Sequence, residues 1–242
     1  MLHTYENCAY AFKLKYIDRI PEPERPLPPG KTEHANDRGT RIHDGLENFV
    51  AGEQHDYPRE AEPFEELILD VRDRFSQGLV MLEHDWCFTE DWTPCQRKER
   101  DMIAKVDFAV WLVPGKHLLV GDYKTGRQYP VKHMDQMQVY SLAAFKKYPG
   151  LEQVTTELWY LDQDDIASSQ FKPRAAVAIQ NVFTKRVNKM RSDREHKPAA
   201  HQYACRFCSY KVDGICPFAV TAKPAAKAAK SSALTWADSW PI

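Results

Sequence analysis

Between Met81 and Gly126 the sequence changes its period, and this stretch most constrains the fold. The runs MLEHDWCF, QRKERDMIAKVDFAVWLV and KHLLVGDYKTG alternate or run apolar, with β-branched and aromatic residues throughout. The turn dipeptide Pro114-Gly115 divides the last two. This predicts strands joined by short turns, hence a sheet at the centre of the chain. The flanks read as helices. Residues 4–18 predict a helix containing Cys8. A second helix runs from about Arg38 to Ala51, where Gly52 stops it. A third starts near Pro63 and reaches about Leu79. Residues 135–148 predict a further helix, VTTELWYLD a further strand, and Pro173 opens a long last helix. The five prolines between Pro21 and Gly30 demand an extended loop. Helices around a central run of strands indicate an α/β or α+β domain.

The 242 residues are enough for one large domain or two small ones, and 43% hydrophobic with 28% charged residues excludes a disordered or fibrous chain. No apolar stretch approaches the ~20 residues needed to span a bilayer. The opening MLHTYENC is not a signal peptide, so the expected location is cytoplasmic, without a membrane partner. A net charge of −1 provides no global basic field. A nucleic-acid partner would need a local groove.

Four groups of residues carry chemistry. Asp122 and Lys124 lie two apart on one predicted strand and share a face, and Asp107 sits on the strand before them. Two carboxylates and an ammonium make a cradle for Mg²⁺ or Mn²⁺; the bland alternative is exposed charge near a hairpin. Gly39, His43 and Glu47 recur at four-residue steps on one helix face, either as metal ligands or as a surface helix with a satisfied histidine. Gln136 and Tyr140 share a helix face too, to position the site or to pack in the core. Finally, Cys205, Cys208 and Cys216 supply three thiolates at metal-ligand spacing. The fourth ligand is Cys8, for a [4Fe–4S] cluster, or His201, for Zn²⁺. Cys87 and Cys95 read as core residues.

Taken in order, these motifs resemble the PD-(D/E)XK nuclease superfamily, in its RecB-like branch with a four-cysteine iron–sulphur cluster, which includes the AddB nuclease domain and the nuclease of CRISPR adaptation. Gly39, His43 and Glu47 look like that family's GxxxHxxxE helix. Asp107 resembles its catalytic Asp, Asp122 and Lys124 its (D/E)xK, and Gln136 and Tyr140 its QxxxY. Cys8 with Cys205, Cys208 and Cys216 resembles the split cluster. The resemblance implies a central mixed β-sheet flanked by helices, with a restriction-endonuclease-like core in a single nuclease domain over residues 1–218; the low-complexity composition after Pro217 predicts a flexible tail over 219–242. The resemblance also implies metal ligation by His43, Asp107, Asp122 and the main-chain carbonyl of Tyr123, with Lys124 handling the attacking water and Glu83 as an outer candidate. The implied activity is a metal-dependent DNA exonuclease of recombination, repair or end processing. The alternatives are a structure-specific endonuclease or a non-catalytic DNA-binding subunit. Arg127, Tyr129 and Lys132 are the expected DNA contacts, and Lys223, Lys227 and Lys230 in the tail would add nonspecific attraction. The terminal LTWADSWPI suits docking to a recombination or replication protein.

Overall fold

The computed structural model describes residues 1–24, 26–211 and 214–220. The tail lysines Lys223, Lys227 and Lys230 and the terminal LTWADSWPI lie outside these residues. The chain divides into two compact units, one formed by Met1–Pro26 with Arg186–Ile242, the other by Leu27–Lys185. Among the described residues no helix is long and apolar enough to cross a membrane.

The larger unit is built on a five-stranded mixed sheet. Its strands are β1 (Val80–Phe88), β2 (Met102–Val113), β3 (His117–Lys124), β4 (Gln153–Tyr160) and β5 (Asp165–Phe171), and they lie in sequence order. β1, β2 and β3 pair antiparallel, as do β4 and β5. β3 and β4 pair parallel. A parallel pair needs a long crossover, and the helix Pro130–Lys147 between the two strands supplies it. The helices Ala35–Ala51 and Glu65–Ser76 contribute Ile42, Leu46, Phe49, Val50, Ile68 and Val71 to one core, which takes Val80, Phe108, Val110, Tyr123 and Trp159 from the sheet. The alternate residues Leu158 and Tyr160 pack with Met137 of the crossover helix in a second core. The expected mixed sheet with flanking helices is therefore the observed fold. In chain order the helices are α1 (Leu2–Asn7), α2 (Ala9–Phe12), α3 (Ala35–Ala51), α4 (Glu65–Ser76), α5 (Pro130–Lys147), α6 (Pro173–Ser192) and α7 (Gln202–Arg206).

The smaller unit packs Tyr5, Phe12 and Met190 with Leu2, Ala9, Tyr16 and Val187. The Tyr5 hydroxyl donates to Asp193 at 2.9 Å, and the Tyr210 hydroxyl donates to the Ile20 carbonyl at 2.8 Å.

Three local expectations need correction. The first helix is broken at Cys8, whose backbone is extended (φ −164, ψ 109). Its sulphur instead accepts from the Ala11 and Ala199 amides at 3.5 and 3.4 Å, so Cys8 caps the start of α2 rather than continuing α1. The third helix is shorter than expected. Pro63 lies in a 3₁₀ segment, Arg59–Phe64, and the α-helical part ends at Ser76. β5 has no counterpart in the expectations, because Asp165–Phe171 is an edge strand whose small polar residues lack apolar alternation.

Gly121 shows how tightly the central hairpin is packed. It pairs with Phe108, and a Cβ at Gly121 would fall 1.9 Å from the Phe108 ring. Phe108 is fully buried and cannot move aside cheaply. Gly121→Ala should therefore cost about 1–3 kcal/mol of unfolding free energy in a denaturant titration. Shortening the ring with Phe108→Leu in the same chain should recover part of that loss.

Candidate active site

Strand register places three carboxylates at one level of the sheet. The β2–β3 ladder ends at the pair Phe108–Gly121, so the next level holds Asp107 and Asp122. There the Tyr123 amide donates to Asp107 Oδ2 at 2.7 Å. On the other side of β2, register passes from Leu82–Phe108 to His84–Val106 and leaves Glu83 level with Asp107. Glu83 has φ +42, a backbone conformation that a non-glycine residue holds at a cost of about 1–3 kcal/mol. Such strain inside a strand collects at functional sites. β3 reaches the site through fully buried Leu118 and Val120, and Asp122 itself is only 4% exposed.

α3 brings the nitrogen donor. His43 Nδ1 lies 3.1 Å from Asp107 Oδ2. Donor atoms of His43, Glu83 and Asp107 all fall within 4.8 Å of one another. Glu83, an outer candidate in the sequence, thus joins the tightest group. Lys105 balances it from 3.1 Å. Glu47 is half-buried; burial raises its carboxyl, followed by the neighbouring charges of Glu83 and Asp44. Burial, then repulsion from Asp122, pushes the Asp107 carboxyl up to about 6, against the opposing hydrogen bonds of His43 and the Tyr123 amide. Burial works against the His43 imidazolium, but the adjoining Asp107 carboxylate raises it overall. Burying carboxylates that repel one another is costly and favours a cation beside them, and one imidazole with carboxylate oxygens is a donor set that Mg²⁺ or Mn²⁺ accepts. The residues present therefore fit a divalent metal.

α5 fixes Asp122. Gln136 Nε2 donates to Asp122 Oδ1 at 2.8 Å and to the Tyr140 hydroxyl at 2.7 Å. The Tyr140 oxygen lies 2.6 Å from both Asp122 Oδ1 and the Lys105 carbonyl, and its single proton serves one of them at a time. Burial, then the two aspartates, holds Tyr140 well above its ordinary titration range, so it stays a phenol donor. Asp122 Oδ2 is buried without a hydrogen bond and forms an ion pair with the Lys124 ammonium. The spacing of Gln136 and Tyr140 thus brings both side chains onto Asp122.

Arg127, Tyr129 and Lys132 follow on the loop after β3 and in the first turn of α5, all exposed. Val131 and Met134 extend the exposed apolar surface beside Tyr129. Sequence reasoning missed His133, which is buried there. Its Nδ1 lies 2.6 Å from the Tyr160 hydroxyl and accepts the Tyr129 amide at 3.3 Å, which braces the loop.

The smaller unit holds the second candidate centre. Cys8, Cys205, Cys208 and Cys216 line one small cavity of about 20 Å³, with apolar walls that include Ala11, Leu14 and Pro198. Burial, then the thiols of Cys216, Cys8 and Cys205, pushes the Cys208 thiol up. His201 is not in this lining. Its Nδ1 accepts the Ala204 amide at 3.2 Å and caps α7. Cys87 is buried and Cys95 half-buried in the larger unit, apart from this cavity.

The family model of the PD-(D/E)XK nuclease superfamily matches residues 1–217. No curated protein matches the chain significantly. Among solved structures, the "Crystal structure of SSO0001" is similar at 15% identity, over 88% of this chain and 96% of that one, with a TM-score of 0.33. With nearly its whole length matched, the chain belongs to the PD-(D/E)XK nuclease superfamily.

Proposed function

We propose that the protein is a divalent-metal-dependent deoxyribonuclease of the RecB-like branch. It would hydrolyse phosphodiester bonds from DNA ends during recombination, repair or end processing. The observation that carries this reading is the row Glu83, Asp107, Asp122 with His43 against Asp107 and Lys124 against Asp122. His43, Asp107 and Glu83 would hold the cation, with Asp122 and the Tyr123 carbonyl completing its protein donors. Bound there, it would neutralise phosphate charge and activate water. Lys124 would orient the attacking water and stabilise charge developing on the phosphate. Gln136 and Tyr140 keep the Asp122 carboxylate, and through it Lys124, in a single orientation. Arg127 and Lys132 would draw in the DNA backbone, and Tyr129 offers a face on which a base stacks.

The second part of the proposal is that Cys8, Cys205, Cys208 and Cys216 hold a [4Fe–4S] cluster. All four cysteines line one cavity, which is the observation that supports this reading. A [4Fe–4S] cluster takes one cysteine for each iron, and these four supply that set. The cluster would tie the first helices to the C-terminal segment within the smaller unit.

Cleavage has two expected outcomes. With Mg²⁺ or Mn²⁺ the protein should degrade end-labelled linear DNA and spare covalently closed circles. Asp107→Ala, Asp122→Ala and Lys124→Ala should each lower the rate by about 10²-fold or more without loss of fold. Wild-type rates in any of the three would remove that residue from the site, and cleavage of circles would move the activity to an endonuclease.

The Asp107 carboxyl gives a pH dependence for the metal-free protein. Its folded pKa lies above the ordinary value of 3.8, so the folded chain holds a proton that the unfolded chain releases. The resulting stability is complete below about pH 4 and is lost as pH rises through about 6. Asp107→Asn should therefore raise the melting temperature in chelator above pH 6, with little effect below pH 4. Stabilisation by added Mg²⁺, which competes with that proton, should grow over the same interval.

Protein purified without oxygen should be brown and carry about four irons per chain. Cys208→Ala should lose both colour and iron and melt earlier. A colourless protein with one zinc per chain would replace the cluster with a zinc site.

A further inference from the structure

The residues proposed to act on the phosphate come from elements far apart in sequence. α3 carries His43 and β3 carries Lys124. A small group of charges outside the acidic row joins these elements. Arg38, five residues before His43, forks the Asp162 carboxylate, with one guanidinium nitrogen 2.9 Å from Oδ2 and the other 2.7 Å from Oδ1. Asp162 lies in the turn between β4 and β5. Its Oδ2 also accepts the Gly126 amide at 2.6 Å, two residues beyond Lys124. In the same turn the Leu161 amide donates to the Lys124 carbonyl at 2.9 Å. A single carboxylate thus bridges α3, the β4–β5 turn and the loop that leaves Lys124.

The fork is braced from behind. Arg38 Nε lies 3.6 Å from Glu60, which pairs with Arg41 at 2.8 Å, and Arg41 in turn pairs with Glu33 at 2.8 Å. Arg38 and Asp162 are each about three-quarters shielded from solvent, with side-chain exposures of 28% and 27%. A paired fork in such surroundings is stronger than a loose surface ion pair. The Arg38 hydrogen bond holds the Asp162 carboxyl below its ordinary range, and burial opposes this. α3 also approaches the loop closely: a Cβ on Gly39 would stand 3.6 Å from the Thr125 hydroxyl.

We propose that Arg38 and Asp162 are positioning residues of the nuclease site, a strut that sets the His43 helix against the Lys124 strand and so fixes the donor spacing for the divalent cation. The proposal rests on the nuclease reading above. Neither residue touches the phosphate. Removing the strut loosens the placement of His43 and Lys124 together, and the loss registers first in metal affinity. The fork requires a planar guanidinium and an ionised carboxylate, so lysine in place of Arg38 does not substitute for it.

The test compares wild-type protein with Asp162→Asn, which keeps an acceptor for the Gly126 amide, with Arg38→Lys, which keeps the charge, and with the double variant. Mn²⁺ affinity is measured by calorimetry, the Mg²⁺ concentration for half-maximal cleavage in an activity assay, and the melting temperature in chelator. Each single variant should bind Mn²⁺ about tenfold more weakly and need correspondingly more Mg²⁺. KM for DNA at saturating Mg²⁺ should hold. The double variant should be no worse than the weaker single one, since both remove one interaction. Unchanged Mn²⁺ affinity, or losses that multiply in the double variant, would overturn the strut. If Asp162→Asn unfolds, Asp162→Glu takes its place; it keeps the charge but displaces the fork, and wild-type affinity there overturns the strut equally. Wild-type protein that binds Mn²⁺ but cleaves no DNA would remove the nuclease reading while calorimetry still decides the strut. Wild-type protein that binds no Mn²⁺ overturns both.

Discussion

At the end of the β2–β3 ladder the Tyr123 amide leaves cross-strand pairing and takes the Asp107 carboxylate as its acceptor. That substitution orders everything around it. It satisfies a backbone donor that would otherwise be buried and unpaired, and it fixes one oxygen of Asp107 toward His43. It also holds Asp107 beside a second buried carboxylate, which is unfavourable by itself. The apolar core of α3, α4 and the sheet supplies the folding energy that lets this arrangement persist. A site of this kind is expected to be less stable without its cation than a neutral packing of the same strands.

Some of this was legible in the sequence because it follows short-range rules. The apolar alternation on either side of Pro114-Gly115 marks a hairpin, and hairpin register alone brings Asp107 level with Asp122. Four-residue spacing on α3 and α5 places His43 toward Asp107, and Gln136 and Tyr140 on Asp122. The start of α5 is marked by Pro130, a residue suited to the first helical position, although helical periodicity begins only at 135.

Other features depend on partners that no local pattern reveals. Glu83 enters the site because its backbone turns left-handed within a strand, and nothing in MLEHDWCF announces that. β5 is held by its pairing with β4 rather than by an apolar face, so its sequence reads as a loop. Cys8 breaks a helix of good propensity because its sulphur accepts amides from both near and far in the chain. Arg38 and Asp162 were silent for the same reason. An arginine and an aspartate 124 positions apart look like solvated charge until the fold sets them face to face.

The parallel pairing of β3 with β4 bears on the order in which the molecule assembles. β1, β2 and β3 follow one another through connections shorter than the crossover to β4, so their contacts close smaller loops and can form early. β4 reaches β3 only after α5 has crossed over, and it brings the bond from Leu161 to the Lys124 carbonyl with it. The acidic row therefore precedes its restraints during folding. While the crossover is incomplete, the chain displays crowded carboxylates without the tyrosine, glutamine and arginine contacts that later organise them. The contacts that organise the acidic row thus depend on the most non-local pairing in the sheet, β3 with β4, and topology ties the order of the site to completion of the fold.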